Sequence, residues 1–362
     1  QFDDARLAIA LARSAQAAGA WMLNHTAVSQ VQPPVPGESP WRLRVQDAHT
    51  QACADIEARC VVNATGVWVD ALRALAQPGQ AVTPMVTPSQ GVHLVVDRSF
   101  MAGDNALLVP KTKDGRVLFA VPWMGSLILG TTDTPRADAP REPQAFEDEI
   151  NFILREAAQA LTRAPKRADV RSVWVGLRPL VKPSGDQATR KISREHTIEV
   201  ATHGLITVTG GKWTTYRAMA EDVLARCFSS GLLPARDAGL SEHHLLVGAP
   251  AAPGPATPLH RAPGLHLYGS EAGEVLRCSG ADRTLGLGLT EAMVRYAVKC
   301  EYAHTVEDVL ARRWRALFLD AEAAAAMAPA VAEIMGSEGV ANPALDDFLR
   351  LCRHYLPGRT SV

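Results

Sequence analysis

Five prolines fall within "GAPAAPGPATPLHRAPG", residues 248 to 264, and this stretch restricts the fold more than any other in the chain. Proline fixes φ and lacks a backbone N–H, so neither a helix nor a central strand can run through it. The chain therefore divides into a long mixed front part and a shorter back part. With 362 residues, two or more domains are expected. Behind the boundary, "EAMVRYAVKCEYA", "TVEDVLARRWRALFLD" and "AEAAAAMAPAVAEIMG" read as consecutive helices of a separate helical domain.

The front part changes character once. Residues 3 to 18 have the apolar spacing of a helix, with Leu7, Leu11 and Ala15 on one face, an Asp at the start and Gly19 as the stop. Strands are predicted at "AWMLNHTAV", "WRLRVQD" and "CADIEARCVVNATG", and a helix at "VWVDALRALA". This alternation is that of an α/β domain. From Thr83 to Arg136 short strands with tight turns take over, as in an antiparallel sheet, and "EPQAFEDEINFILREAAQAL" follows as an amphipathic helix with acids in its first turns. "GLITVTGGKWTTYRAMAEDVLARCF" is a strand handing over to a helix.

Several functions are excluded early. A net charge of −1 gives no electrostatic footprint for nucleic acid. Six scattered cysteines without a CxxC pair argue against structural zinc and fit a reducing compartment. His243-His244 has no second ligand cluster and reads as a solvated helix start. "TVTGGKWTTYR" is not a Walker A loop, because Ile206 stands where the first glycine belongs and Trp213 where Ser or Thr must bind magnesium. "GLGLTE" at 286 to 291 begins like GxGxxG but ends in Glu291. What remains at 210 to 215 is two glycines and a helix start, suited either to a flat ligand with an anionic edge or to an ordinary turn with a surface lysine.

Taken together, "VVNATG.WVD", "PSQGVHLVV", "DGRVLFAVPW", "GTTDTP", "GLRPLV", "ISREHTIEV", "GLITVTGGKWTTYRAMAEDV" and "YAVKCEYAHTVEDVLARRWRALFLDA" resemble the FAD-dependent glycerol-3-phosphate dehydrogenases of the membrane-associated respiratory type. With "DDARL" ahead of them and "INFIL" in the middle, they run in family order from Asp3 to about residue 340. The resemblance implies a fold of α/β plus α+β class. An incomplete FAD-binding domain, like those of glutathione reductase and the amino-acid oxidases, occupies 1–82 and 204–247. An antiparallel-sheet substrate domain is inserted at 83–203, a linker runs over 248–264, and a C-terminal helical domain fills 265–362. Family members begin with a GxGxxG segment that holds the FAD pyrophosphate. The chain is expected to be a C-terminal fragment lacking it, colourless and inactive alone.

The resemblance also implies roles. Glycerol 3-phosphate would be oxidised to dihydroxyacetone phosphate, with FAD as cofactor and a quinone as electron acceptor; oxygen as acceptor and a catalytically silent folded module are the alternatives. Arg178 is the first candidate for the phosphate clamp and Arg194 the second. His93 is the candidate base. Lys212 would touch flavin and substrate. Ala64, Thr65, Gly66, Gly210, Gly211, Thr214 and Thr215 would line the flavin, with Val28 beside the adenine. Thr131, Thr132 and Asp133 would shape the site. The family reading places the enzyme peripherally on the inner face of the cytoplasmic membrane and allows a homodimer. "ARRWRALFLD" reads either as a membrane-surface helix or as an ordinary bundle helix.

Overall fold

The computed structural model describes residues 2–35, 40–110, 117–182, 196–237, 239–252 and 254–358. Arg194 lies outside them. The chain opens with α1 (Asp4–Ala17), as its spacing predicts. Asp3 caps it by accepting hydrogen bonds from the N–H groups of Ala5 and Arg6. An Asp3→Ala variant is expected to lose about 1 kcal/mol of stability, measurable as a lower midpoint in urea.

Strands β1 (Thr26–Gln32), β2 (Trp41–Asp47) and β3 (Cys53–Ala58) form an antiparallel meander. The strand predicted over 20 to 28 is largely displaced. Residues 20 to 25 are not extended in a sheet, Trp21 is 88% exposed, and pairing begins only at Thr26. A run of apolar letters forms a strand only where a neighbour takes its backbone hydrogen bonds. The front block is thus less regularly α/β than its alternation suggested. Among the described residues its parallel pairing is confined to β4 (Val62–Asn63), which is followed by α2 (Val69–Ala76) and lies beside the later strand β12 (Ile206–Gly210).

The central sheet has six strands: β5 (Val86–Asp97), β6 (Leu107–Val109), β7 (Leu118–Trp123), β8 (Ser126–Gly130), β9 (Thr134–Pro135) and β10 (Val170–Val181). Their order is β10-β5-β8-β7-β6, with β9 paired to β5, and every pairing is antiparallel as the sequence predicts. Helix α3 (Glu147–Ala160) covers one face, where Val92, Leu94 and Val96 of β5 meet Ile150 and Ile153.

β11 (His196–Val200) corrects the expected grouping. It pairs with β12, in the sheet that holds β4, and not with the inserted sheet. Helix α4 (Tyr216–Ser229) then follows the glycine turn.

Behind the proline-rich segment come α5 (Ala272–Leu276), a small hairpin β13 (Thr284–Gly286) and β14 (Leu289–Thr290), α6 (Glu291–Cys300), α7 (Ala316–Leu319), α8 (Ala321–Ser337) and α9 (Leu345–His354). These helices are not an independent module. Val95, Trp123, Met124 and Ile128 of the central sheet share one buried core with Trp314, Leu317 and Phe318. The predicted continuous helix "TVEDVLARRWRALFLD" is a wide π turn over Asp308–Arg313, broken at Trp314 and resumed as α7. Its basic and aromatic residues do not form a membrane-facing surface. Trp314 and Phe318 are buried, and Arg313 bonds Asp308 and the carbonyls of Glu301 and Tyr302. Among the described residues no helix is long and apolar enough to cross a membrane.

α1 is held against this part by ions withdrawn from water. Arg6 bonds the fully buried Glu301 at 2.6 Å, and Arg13 forks onto Glu271 at 2.6 and 2.7 Å. Such pairs are sensitive to loss of one partner, because the survivor is left as an unpaired buried charge.

Candidate active site

The site is built where strands end. β4 and β12 run parallel in register Ile206↔Val62 and Thr207↔Asn63, so their carboxyl ends point the same way. The turns 63–66 and 210–212 therefore emerge side by side, each entering a short 3-10 segment and then a helix. Open α/β sheets bind ligands in this place, outside the carboxyl ends of strands.

Gly66 (φ 62°), Gly210 (φ 76°) and Gly211 (φ 72°) all take left-handed backbone that side-chain-bearing residues adopt at a cost. Ala64, Thr65, Lys212, Thr214 and Thr215 are exposed. At Gly66 a Cβ would meet nothing within 4 Å among the described residues, so this turn is open to a flat ligand. Gly211 is closed in by contrast, because a Cβ there would sit 2.6 Å from the Met219 sulfur. Lys212 precedes the segment Trp213–Thr215, and its carbonyl accepts from the Thr215 N–H and hydroxyl.

Asn63, which the sequence reading passed over, pins the first turn. It is fully buried, donates to the Val69 carbonyl at 2.9 Å and accepts from the Thr65 hydroxyl at 2.7 Å. An Asn before Ala-Thr-Gly at the end of a strand was the available signal. Val28, the candidate adenine neighbour, packs against the buried cluster of Val31, Trp41, Val61, Ala76 and Leu205. No contact described for it reaches the two turns.

The second half of the site lies on the central sheet. Register pairs His93 with Trp174, Gly91 with Gly176, and Ser89 with Arg178 across β5 and β10. Directly opposite residues share a face and alternate ones repeat it, so these six form one double row. Trp174 stacks on His93 at 4.1 Å between ring centroids and meets Phe318 edge-on at 5.5 Å. His93 Nδ1 and Trp174 Nε1 are buried without a hydrogen-bond partner among the described residues. Gly130 sits opposite His93, and a Cβ there would lie 2.6 Å from its Cδ2.

The Arg178 guanidinium lies over Gly91. A Cβ at that glycine would be 2.3 Å from Nη2 and 2.6 Å from Nη1. Arg178 donates to the Thr132 carbonyl and the Thr131 hydroxyl, both at 3.2 Å, and approaches Asp133 at 3.5 Å. Ser89 in turn donates to Asp133. The Thr132 hydroxyl donates to Glu149 at 2.8 Å, which anchors the chain while its carbonyl faces Arg178. The GTTD stretch thus holds the Arg178 guanidinium.

Burial first, and then the Arg178 charge, push the His93 imidazole down to about 3. It is neutral at any physiological pH, and its surroundings make it a reluctant proton acceptor unless a negative charge arrives beside it. β12 and the Gly66–Trp68 segment both pack against β10, which brings the two halves together. Arg194, the second clamp candidate, lies outside the described residues. Among the described residues no group of three or more His, Cys, Asp or Glu side chains is arranged to hold a metal ion, and all six cysteines are free thiols.

The sheet architecture and the two glycine turns define a flavin-dependent oxidoreductase of the amino-acid-oxidase type. A family model described as FAD dependent oxidoreductase matches residues 1–217, and the chain belongs to that family, with FAD as its cofactor. A second model, the C-terminal domain of alpha-glycerophosphate oxidase, matches residues 258–341. The chain is 35% identical over 373 residues to the mitochondrial glycerol-3-phosphate dehydrogenase SDP6 of Arabidopsis thaliana, covering 93% of this chain and 58% of that protein. It is 37% identical over 366 residues to the mitochondrial glycerol-3-phosphate dehydrogenase of Homo sapiens, covering 93% and 49%. The chain therefore spans about half the length of the curated relatives it matches. Among solved structures, the glycerol-3-phosphate dehydrogenase of Bacillus halodurans complexed with FAD superposes with a TM-score of 0.80 at 26% identity, over all of this chain and 75% of that one. The family resemblance read from the motifs is borne out.

The residues present fit one edge of a flavin. Gly66 leaves a space that a Cβ would narrow, and two helix-leading turns offer backbone N–H groups to an anionic ring edge.

Proposed function

We propose that this chain is the part of a glycerol-3-phosphate dehydrogenase that binds and orients the substrate. The reaction oxidises sn-glycerol 3-phosphate to dihydroxyacetone phosphate, with a quinone as the final electron acceptor. The observation that carries this reading is that His93 and Arg178 share one face of the sheet, with the Gly91–Gly176 pair between them on that face. FAD, when bound, supplies the hydride acceptor. Ala64, Thr65, Gly66, Gly210, Gly211, Thr214 and Thr215 would hold its ring, and Lys212 adds a positive charge that favours the reduced anion.

Arg178 presents a planar fork to the substrate phosphate, and a guanidinium binds phosphate oxygens in pairs. His93 accepts the proton of the C2 hydroxyl. Its basicity is set partly by the Arg178 charge. A phosphate dianion on Arg178 offsets that charge, so substrate binding itself makes His93 a better base. Trp174 and Phe318 keep the imidazole dry and oriented.

A quinone acceptor would place the enzyme peripherally on the inner face of the cytoplasmic membrane. Oxygen as acceptor is the second reading, favoured by the match of residues 258–341 to an oxidase C-terminal domain. Anaerobic addition of glycerol 3-phosphate to the FAD-loaded enzyme of which this chain is the proposed part is expected to bleach the visible flavin band. An unchanged spectrum would sink the proposal. Reoxidation with a soluble quinone against reoxidation with oxygen then separates the two acceptors.

A further inference from the structure

β10 contains one exposed residue, Gly176, among neighbours that are buried or half-buried. Glycine inside a strand weakens it by roughly 0.5–1 kcal/mol relative to alanine, so a reason for its presence is needed. Backbone conformation does not supply one, because Gly176 is absent from the positions with positive φ. Packing does not supply one either. A Cβ at Gly176 would meet nothing within 4 Å among the described residues, whereas its cross-strand partner Gly91 is filled by the Arg178 guanidinium.

The two opposed glycines therefore make a trough across β5 and β10, and only one half of it is occupied. Among the described residues the other half, over Gly176, is open. It is bounded along the strand by Trp174 on one side and Arg178 on the other, with His93 directly across from Trp174. Gly176 also lines a cavity of about 340 Å³ together with Thr65, Gly66, Arg312 and Phe318. Gly176 thus belongs both to the row between the imidazole and the arginine and to the cavity that reaches the Ala-Thr-Gly turn.

We propose that Gly176 is a specificity-determining residue, the floor of a slot that takes the short carbon chain of a phosphorylated polyol between Arg178 and His93. This rests on the function proposed above. A methyl group on the floor would lift the carbon chain away from the sheet while leaving the phosphate seat over Gly91 untouched. Lifting the carbon chain removes contacts made alike in the ground and transition states, a loss that reads as a raised KM. Only substrates thin enough to lie flat on the strand would be accepted, which selects an unbranched three-carbon backbone.

The test uses the FAD-loaded enzyme that contains this chain, with two paired variants. Gly176→Ala is expected to keep or raise the melting temperature and to raise KM for glycerol 3-phosphate at least tenfold. Inhibition by inorganic phosphate should stay unchanged, because phosphate alone occupies the Arg178 seat without spanning Gly176. Gly91→Ala displaces the guanidinium and is expected to weaken both substrate and inorganic phosphate. Unchanged KM in Gly176→Ala would overturn the proposal. So would a lower melting temperature with parallel loss of substrate and phosphate binding, which marks a structural role. If the unsubstituted protein fails to reduce its flavin with glycerol 3-phosphate, the proposed function fails instead. The phosphate and melting measurements still report on the slot.

Discussion

An Arg178→Ala variant is expected to lose about 10²–10³-fold in kcat/KM for glycerol 3-phosphate, equivalent to about 3–4 kcal/mol of transition-state binding. The loss should fall on KM more than on kcat, since the phosphate is held alike in ground and transition states. Arg178→Lys keeps the charge but not the fork. It is expected to recover only part of the loss, because an ammonium cannot reproduce two parallel N–H···O bonds. Activity toward unphosphorylated glycerol, which has nothing for the guanidinium to bind, should change far less. The ratio of the two substrates is therefore the diagnostic measurement. Both substrates falling together would show that Arg178 serves the fold through its bonds to Thr131 and Thr132 and not the phosphate.

The sequence made Arg178 conspicuous because an arginine between Leu177 and Pro179 lies in an otherwise apolar run. It could not disclose what holds the guanidinium. Gly91 is 87 positions earlier and Thr132 is 46, and only the β5–β10 register and the hairpin end bring them to it. Trp174 was passed over for the same reason. Nothing local marks it as the stacking partner of His93, which depends on cross-strand pairing. Signals that act within a few residues were legible. The Asp3 cap and the strand–glycine–helix handover at 206 to 216 both stand where the sequence puts them. Signals that depend on a distant partner misled. Trp21, Met22 and Leu23 look like strand residues but pair with no described strand. β11 joins β12 because only five residues, 201 to 205, separate them, whatever domain its composition suggested. The Trp314 break was equally hidden, because burial of its indole, whose Nε1 donates to the Leu287 carbonyl, outweighs the helical periodicity around it.

His93 carries the other large effect, in two independent measurements. His93→Asn is expected to lower kcat for glycerol 3-phosphate by about 10²–10⁴-fold, the range for a positioned general base, with KM little altered while Arg178 remains. The second measurement concerns stability and needs no substrate. In the unfolded chain His93 titrates near 6.5, whereas in the folded protein burial and Arg178 hold it down to about 3. Between these values the unfolded chain binds a proton that the folded protein refuses. The neutral imidazole's contribution is therefore complete above about pH 6.5. It is lost progressively as pH falls, by about 1.4 kcal/mol per pH unit until the folded value is reached. His304 is depressed in the same direction, by burial and then by the nearby His25 and His49, so the whole protein's acid sensitivity is not due to His93 alone. The difference between the protein and its His93→Asn variant isolates the one residue. Urea midpoints should converge as pH is lowered from 7 toward 5, because asparagine has no proton to gain. If they stay parallel while kcat still collapses, His93 acts on the substrate without being held neutral by its surroundings. If kcat survives, the proton goes elsewhere, and the stacked pair His93–Trp174 is packing that borders the slot.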